Sequence, residues 1–242
     1  LLGHNRGDLF SAPQEINICA GLWERVSLIH NARRNHTGMA KKSDTKRQHI
    51  LSVAAQAFQE YGFERTSMSE ICARVGGSKA TLYNYFPSKG ELFYEVMTLS
   101  NNTEFEAVFR AIDPAAEDIA GSLRQFGRRW LTFLYSPSVK ANRHLAISVS
   151  GRSDLGRLMY ERGVLRGQDL IADCLKTAMG LGRLRQADPV VAARHLLSLL
   201  ESELIERFLF QLLGEVSAEE IKQVTDRAID VFMAAYGNRG KN

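Results

Sequence analysis

The sequence predicts an all-α protein: a three-helix N-terminal domain joined by a long helix to a larger helical domain. Three observations carry that expectation. Apolar residues recur at helical spacing from Asp44 onward, capping side chains open most of these runs, and no segment alternates with strand period. The 242 residues suffice for one large domain or two small ones, and a 45% hydrophobic share suits an ordinary globule.

Taken in order, Ile50, Val53, Ala54, Ala57, Phe58 and Tyr61 share one face of a first helix that Gly62 ends. Ser67 and Glu70 have capping-box spacing and open a second helix to about Val75, where Gly76 suits the left-handed closing position. Ser78 opens a third helix to about Tyr85. Pro87 ends it, and Ser88 with Glu91 opens a long fourth helix to about Ala111. Asp113-Pro114, Ser136-Pro137 and Asp188-Pro189 each set a capping side chain before a first-turn proline, predicting helices over 115–135, 138–150 and 189–213. A segment over 154–181 is broken by Gly163 and Gly167, and Ser217 with Glu220 caps a last helix ending near Tyr236. Nine or ten helices are expected in all.

Composition narrows the function classes. No apolar run approaches the roughly 20 residues that span a bilayer, and the N-terminus lacks the order of a signal peptide, so a cytoplasmic protein without a membrane partner is expected. Cys19, Cys72 and Cys174 are widely spaced, which fits reduced thiols and offers no zinc pattern. No His-Glu-x-x-His, Gly-x-Ser-x-Gly or P-loop occurs, so neither a catalytic centre, a metal site nor a cofactor is expected. Residues 1–38 are expected to be a disordered or artefactual leader, because Met39 heads "MAKKSDTKRQHIL", which reads like a natural start.

The charge is placed, not spread. Residues 39–89 hold eight Lys/Arg against four acids, which accounts for the entire net charge of +4. A positive field at one end suits a polyanion, and a solvated face would look the same. Within that region "TSMSEICARVGGSKATLYNYFPSKGELF" sets two short helices about a glycine corner, the pattern of a helix-turn-helix. Neither helix would stand alone in water, so Phe58, Phe63, Ile71, Val75, Leu82 and Phe86 must form the small core that holds both. The third helix then projects Ser78, Lys79, Thr81 and Asn84 outward, groups able to bond phosphates and base edges.

The stretch "AAQAFQEYGFERTSMSEICARVGGSKATLYNYFPSKGELF" resembles the DNA-binding domain of tetracycline-repressor (TetR) family regulators. That resemblance implies a DNA-binding domain over residues 39–90 and an effector-binding and dimerisation domain over 91–242. It implies phosphate contacts by Tyr83, Tyr85 and Lys89, base-edge contacts by Lys79, Thr81 and Asn84, and contacts by Ser67, Ser69 and Ser78 at the helix starts. Lys41, Lys42, Lys46 and Arg47 would form a basic arm beside the duplex. Gly77 departs from the family's usual small branched residue; a valine there is expected to pack between the helices, so glycine should loosen the head.

"FGRRWLTFLYSPSVKANRHLAISVSGRSDLGRLMYERG" resembles the C-terminal domain of the AefR-like branch of that family. The implied mechanism is a small-molecule effector that enters this domain and changes the spacing of two heads in a homodimer paired through the last two helices. Trp130, Phe133, His144, Tyr160, Cys174 and Glu201 are the candidate pocket residues, each equally readable as plain core or surface. The implied protein is a repressor of a near-palindromic operator. The alternatives are a helical ligand-binding scaffold with a weakened DNA-binding head, and an enzyme.

Overall fold

The computed structural model describes residues 38–238. The expected leader therefore lies outside the described residues, as does any side-chain role for Lys41 and Lys42. Eleven α-helices and one π-helical turn occur among the described residues, and no strand.

The first four helices build the head. Helix α1 (Gly38–Arg65) is interrupted by Gly62, whose φ of 74° and ψ of 171° are not helical. The buried Thr66 hydroxyl donates to the Ala57 and Gly62 carbonyls and so satisfies the backbone that this break exposes. Helices α2 (Met68–Val75) and α3 (Lys79–Tyr85) follow, each capped as the sequence predicts: Ser67 accepts from the Glu70 amide and Ser78 from the Thr81 amide. Helix α4 (Lys89–Phe109) is capped by Ser88, which accepts from the Glu91 amide.

Ile50, Ala54, Phe58, Ile71, Leu82, Phe86 and Leu92 are buried to within a few per cent and make the head core. Three rings lock α1 to α4: the Phe93 ring stands edge-on to Phe58 at 4.8 Å and to Phe63 at 5.0 Å. This core does not stop at residue 90. It runs along α4 through Tyr94, Val96 and Met97 and takes in Ala146, Val149, Leu155 and Leu158 from the second half of the chain.

The body comprises α5 (Ile119–Leu134), α6 (Pro137–Val149), α7 (Leu155–Met159), the π turn Tyr160–Leu165, α8 (Arg166–Gly180), α9 (Pro189–Glu201), α10 (Ile205–Leu209) and α11 (Ala218–Tyr236). Its own core surrounds Leu123, Phe126, Leu131, Ile171, Leu196 and Phe232. Helix α9 packs on α8 and α11, and α11 packs on α5.

Three boundaries differ from the sequence prediction. Asp113-Pro114 does not open a helix: Asp113 accepts from the Ala115 amide in a turn, and Asp118 caps α5 through the Gly121 amide. The segment over 154–181 breaks as predicted around Gly163, in the π turn that joins α7 and α8, but not at Gly167, which lies inside α8. The predicted helix over 189–213 ends at Glu201, and only α10 continues. There the Ser202 hydroxyl donates back to the Leu199 carbonyl, a bond that bends a helix, and the bend turns both Leu204 and Phe208 into the core.

Truncating Phe93 to alanine should remove the ring that joins α1 to α4. Phe93→Ala is expected to cost about 3–5 kcal/mol, measured by urea unfolding.

Candidate DNA interface and effector cavity

The head presents α3 to solvent on a rigid mount. Leu82 and Phe86 bury one side of it, and the Ser78 cap orders its first turn. Ser78 also shares a hydrogen bond of 2.9 Å with the Thr81 hydroxyl. Lys79, Tyr83 and Asn84 are exposed, and Tyr83 keeps 46% of its surface. Ser67 and Ser69 are exposed at the start of α2. Ser67 and Ser78 sit at the starts of α2 and α3, so each helix start offers backbone N–H groups next to exposed polar side chains.

Other predicted contacts are tied inward. The Tyr85 hydroxyl lies 3.3 Å from that of Ser43 on α1, and its ring is only partly exposed. The Lys89 ammonium donates to the Phe63 carbonyl at 2.8 Å and the Glu64 carbonyl at 3.2 Å, and sits 4.4 Å from the centre of the Phe63 ring. Partial burial lowers its pKa, partly offset by the Glu64 charge. Lys89 is thus first a cap on the last carbonyls of α1. Arg47 is not part of an open arm: it pairs with Glu95 at 2.6 Å and lies over the Phe86 ring. Arg74 is held by Glu60, Tyr61 and Glu70. Among the described residues, Lys46 and Lys79 are exposed lysines of the head.

The glycine corner divides its labour. Gly76 takes the left-handed closing position, with φ 69°, and its amide reaches the Cys72 carbonyl. Gly77 needs no such freedom. A Cβ built there meets only the Lys46 ammonium, at 3.9 Å, and the residue is exposed. The expected interhelical packing by a branched side chain at 77 is therefore not offered by this site; what glycine costs is unfolded-state entropy. The Cys72 thiol holds the corner by donating to the Gly77 carbonyl at 3.2 Å.

The body holds a partly open cavity of about 340 Å³ between α4, α5, α6, the π turn, α8 and α9. Of the predicted pocket residues, Trp130, Phe133 and Glu201 line it. His144, Tyr160 and Cys174 do not. The His144 ring stacks on Phe208 at 4.1 Å and its Nε2 lies 2.8 Å from the Phe208 carbonyl, pinning α6 to α10. Tyr160 is 54% exposed, and Cys174 packs against the body core, where burial raises its thiol pKa.

Sequence reasoning missed Asn142, Arg143 and Arg162. Asn142 had a signal: it sits on the face of α6 that buries Val139, Ala146 and Val149. Arg143 donates to Glu201 at 2.8 Å, and Glu201 also accepts from the Tyr135 hydroxyl at 2.9 Å. Burial and the Glu201 charge push the Tyr135 pKa well above its ordinary value. Arg162, in the π turn, grips Glu91 with two bonds of 2.6 and 2.7 Å. Nearby, the Ser88 hydroxyl that caps α4 donates to Asp154 at the start of α7. The two helices touch there because Gly90 has no side chain; a Cβ would stand 3.2 Å from the Leu155 nitrogen and inside the Asp154 carboxylate.

Residues 50–96 match the profile described as bacterial regulatory proteins, tetR family, and residues 121–238 that of the AefR-like transcriptional repressor, C-terminal domain. A solved TetR-family transcriptional regulator from Mesorhizobium loti is 30% identical, covers 81% of this chain and 98% of its own, and superposes with a TM-score of 0.67. This chain belongs to the TetR family. The Flavonoid-responsive Regulator FrrA is 32% identical over 81% of this chain and 100% of that one, with a TM-score of 0.63. The HTH-type transcriptional regulator AcrR of Shigella flexneri is 35% identical over 82 residues, 31% of this chain and 38% of AcrR. These relatives are described as regulators, not enzymes, and no helix among the described residues is long and apolar enough to cross a membrane.

Two substitutions check this geometry. Gly77→Val should raise stability by about 0.4–1 kcal/mol through the unfolded state alone. Lys89→Met should lower it by about 1–3 kcal/mol, because two charge-assisted bonds to carbonyls are lost. Chemical unfolding of the two variants reads both signs.

Proposed function

We propose that this TetR-family chain is a dimeric repressor that binds a near-palindromic duplex in the cytoplasm and releases it when a small molecule enters the body cavity. The observation that carries the reading is the exposed polar face of α3, with Lys79, Tyr83 and Asn84 held out over a buried core. A helix so mounted fits the major groove, and two copies would read two half-sites about one turn apart. Support for pairing comes from exposed apolar residues in and just after α10 and on α11. Leu209, Phe210 and Leu212 are 50–75% exposed and Val231 is 54% exposed, more than a monomer needs to show.

The path from cavity to head is short. Arg162 lines the cavity with its backbone neighbours Gly163 and Val164 and holds Glu91 in the first turn of α4. An occupant that displaces the π turn pulls on that turn, and the head core is continuous with it. Release then requires only that the occupant bind one head spacing better than the other.

Selection from random duplex DNA with the full chain should enrich a near-palindromic site whose affinity falls by roughly 10³-fold or more between 50 and 200 mM salt. Enrichment of nothing would favour a ligand-binding scaffold. Lys79→Ala should change the preferred base at one position per half-site by about 1–3 kcal/mol and leave folding intact. Arg162→Ala should speed hydrogen exchange at the Glu91 and Leu92 amides, read by mass spectrometry, since their turn loses its outer clamp.

A further inference from the structure

We infer that the cavity takes a planar aromatic molecule bearing a phenolic hydroxyl and no positive charge, with Asn142, Trp130 and Arg143 as its hydrogen-bonding partners. The inference rests on the reading of this cavity as the effector site.

The wall supplies the aromatic preference. Phe105 meets Trp130 at 6.4 Å and Phe133 at 6.0 Å, both edge-on, while Trp130 and Phe133 are tilted by 30° at 6.1 Å. All three line the cavity, so a flat ring meets faces and edges together. Leu134, Val139 and Leu197 complete an apolar surround.

The polar preference comes from atoms that the fold leaves without partners. Asn142 is 4% exposed and its Oδ1 accepts nothing; Trp130 is 9% exposed and its Nε1 donates to nothing. Arg143 uses Nη2 on Glu201, while its buried Nη1 is unpaired. All three residues line the cavity. A buried polar group without a partner is a standing loss that a well-matched occupant recovers. The unmet set is two N–H donors, Trp130 Nε1 and Arg143 Nη1, and one acceptor, Asn142 Oδ1. A hydroxyl satisfies it, because its oxygen accepts from Trp130 or Arg143 while its proton goes to Asn142. An aliphatic hydrocarbon satisfies none of it.

Charge excludes the opposite class. Arg143, Arg162, Arg166 and Arg194 line the cavity against one acid, Glu201. Three of the four have carboxylate partners, with Arg143 on Glu201, Arg162 on Glu91 and Arg166 on Glu106. The carboxylates at this wall are already held by arginines, so an entering cation finds none to pair with.

The test is calorimetric titration of the full chain with 2-naphthol, naphthalene and 2-naphthylmethylammonium. The expected order is 2-naphthol at least tenfold tighter than naphthalene, and no binding of the ammonium. Asn142→Leu should cut the naphthol preference below threefold, keep naphthalene binding, and raise the melting temperature by removing an orphaned amide. In the unaltered protein the Trp130 indole N–H proton signal should move downfield with 2-naphthol and stay in place with naphthalene. Equal affinities for 2-naphthol and naphthalene, a preference that survives Asn142→Leu, tight binding of the ammonium, or binding of none of the three would overturn the inference. Duplex selection separates the readings. A chain that selects an operator but binds no naphthol retains the regulator function and loses this chemistry. A chain that binds naphthol without loosening DNA retains the chemistry and loses the cavity's regulatory role.

Discussion

The ring of Phe93, wedged against Phe58 and Phe63, makes the start of α4 part of the head, and the rest of the structure depends on that constraint. A helix-turn-helix of two short segments has too little apolar surface to fix its own angle to a distant domain. Here the first two turns of α4 belong to the head core on one side. On the other they meet α7 and the π turn through Ser88, Gly90 and Glu91. Interiors packed in this way transmit displacement instead of absorbing it.

The same economy explains where the head's charges went. Of its basic residues, Arg47 and Arg74 stabilise helix packing through Glu95 and Glu60, and Lys89 closes the end of α1. Ion pairs at such partly exposed positions contribute little each, but they set the orientation of long side chains. Lys46 and Lys79 are left facing solvent beside the glycine corner. A sequence count of charge gives the net sum for the region but not where the positive ends lie, because counting does not see which side chains are held inward.

In the body, the cavity and the break after α9 are connected. The bend at Ser202 lets Phe208 return to the core, where Arg143 lies over one face at 4.3 Å and His144 stacks on the ring. Arg143 is thereby held against Glu201 at the cavity wall, and α10 is held next to the exposed Leu209, Phe210 and Leu212. Cavity wall and apolar end surface thus share one anchor, the Phe208 ring.

By itself the sequence determined the all-α class, the helix-turn-helix, its caps at Ser67, Ser78 and Ser88, and the identity of the outward face of α3. Those features are local: a capping hydroxyl reaches an amide three residues on, and a helical face is a matter of period. Trp130, Phe133 and Glu201 were legible as cavity residues for a lesser reason, as large or charged groups within apolar runs. The placement of His144, Tyr160 and Cys174 was not, since one stacks on another helix, one faces solvent and one packs in the core. Only the tertiary structure decided that Lys89 and Arg47 turn inward, that Gly77 has open space beside it, and that Arg162 meets Glu91. Each of these depends on contacts between residues far apart in the chain, and no helical period encodes which distant side chain will be within three ångströms.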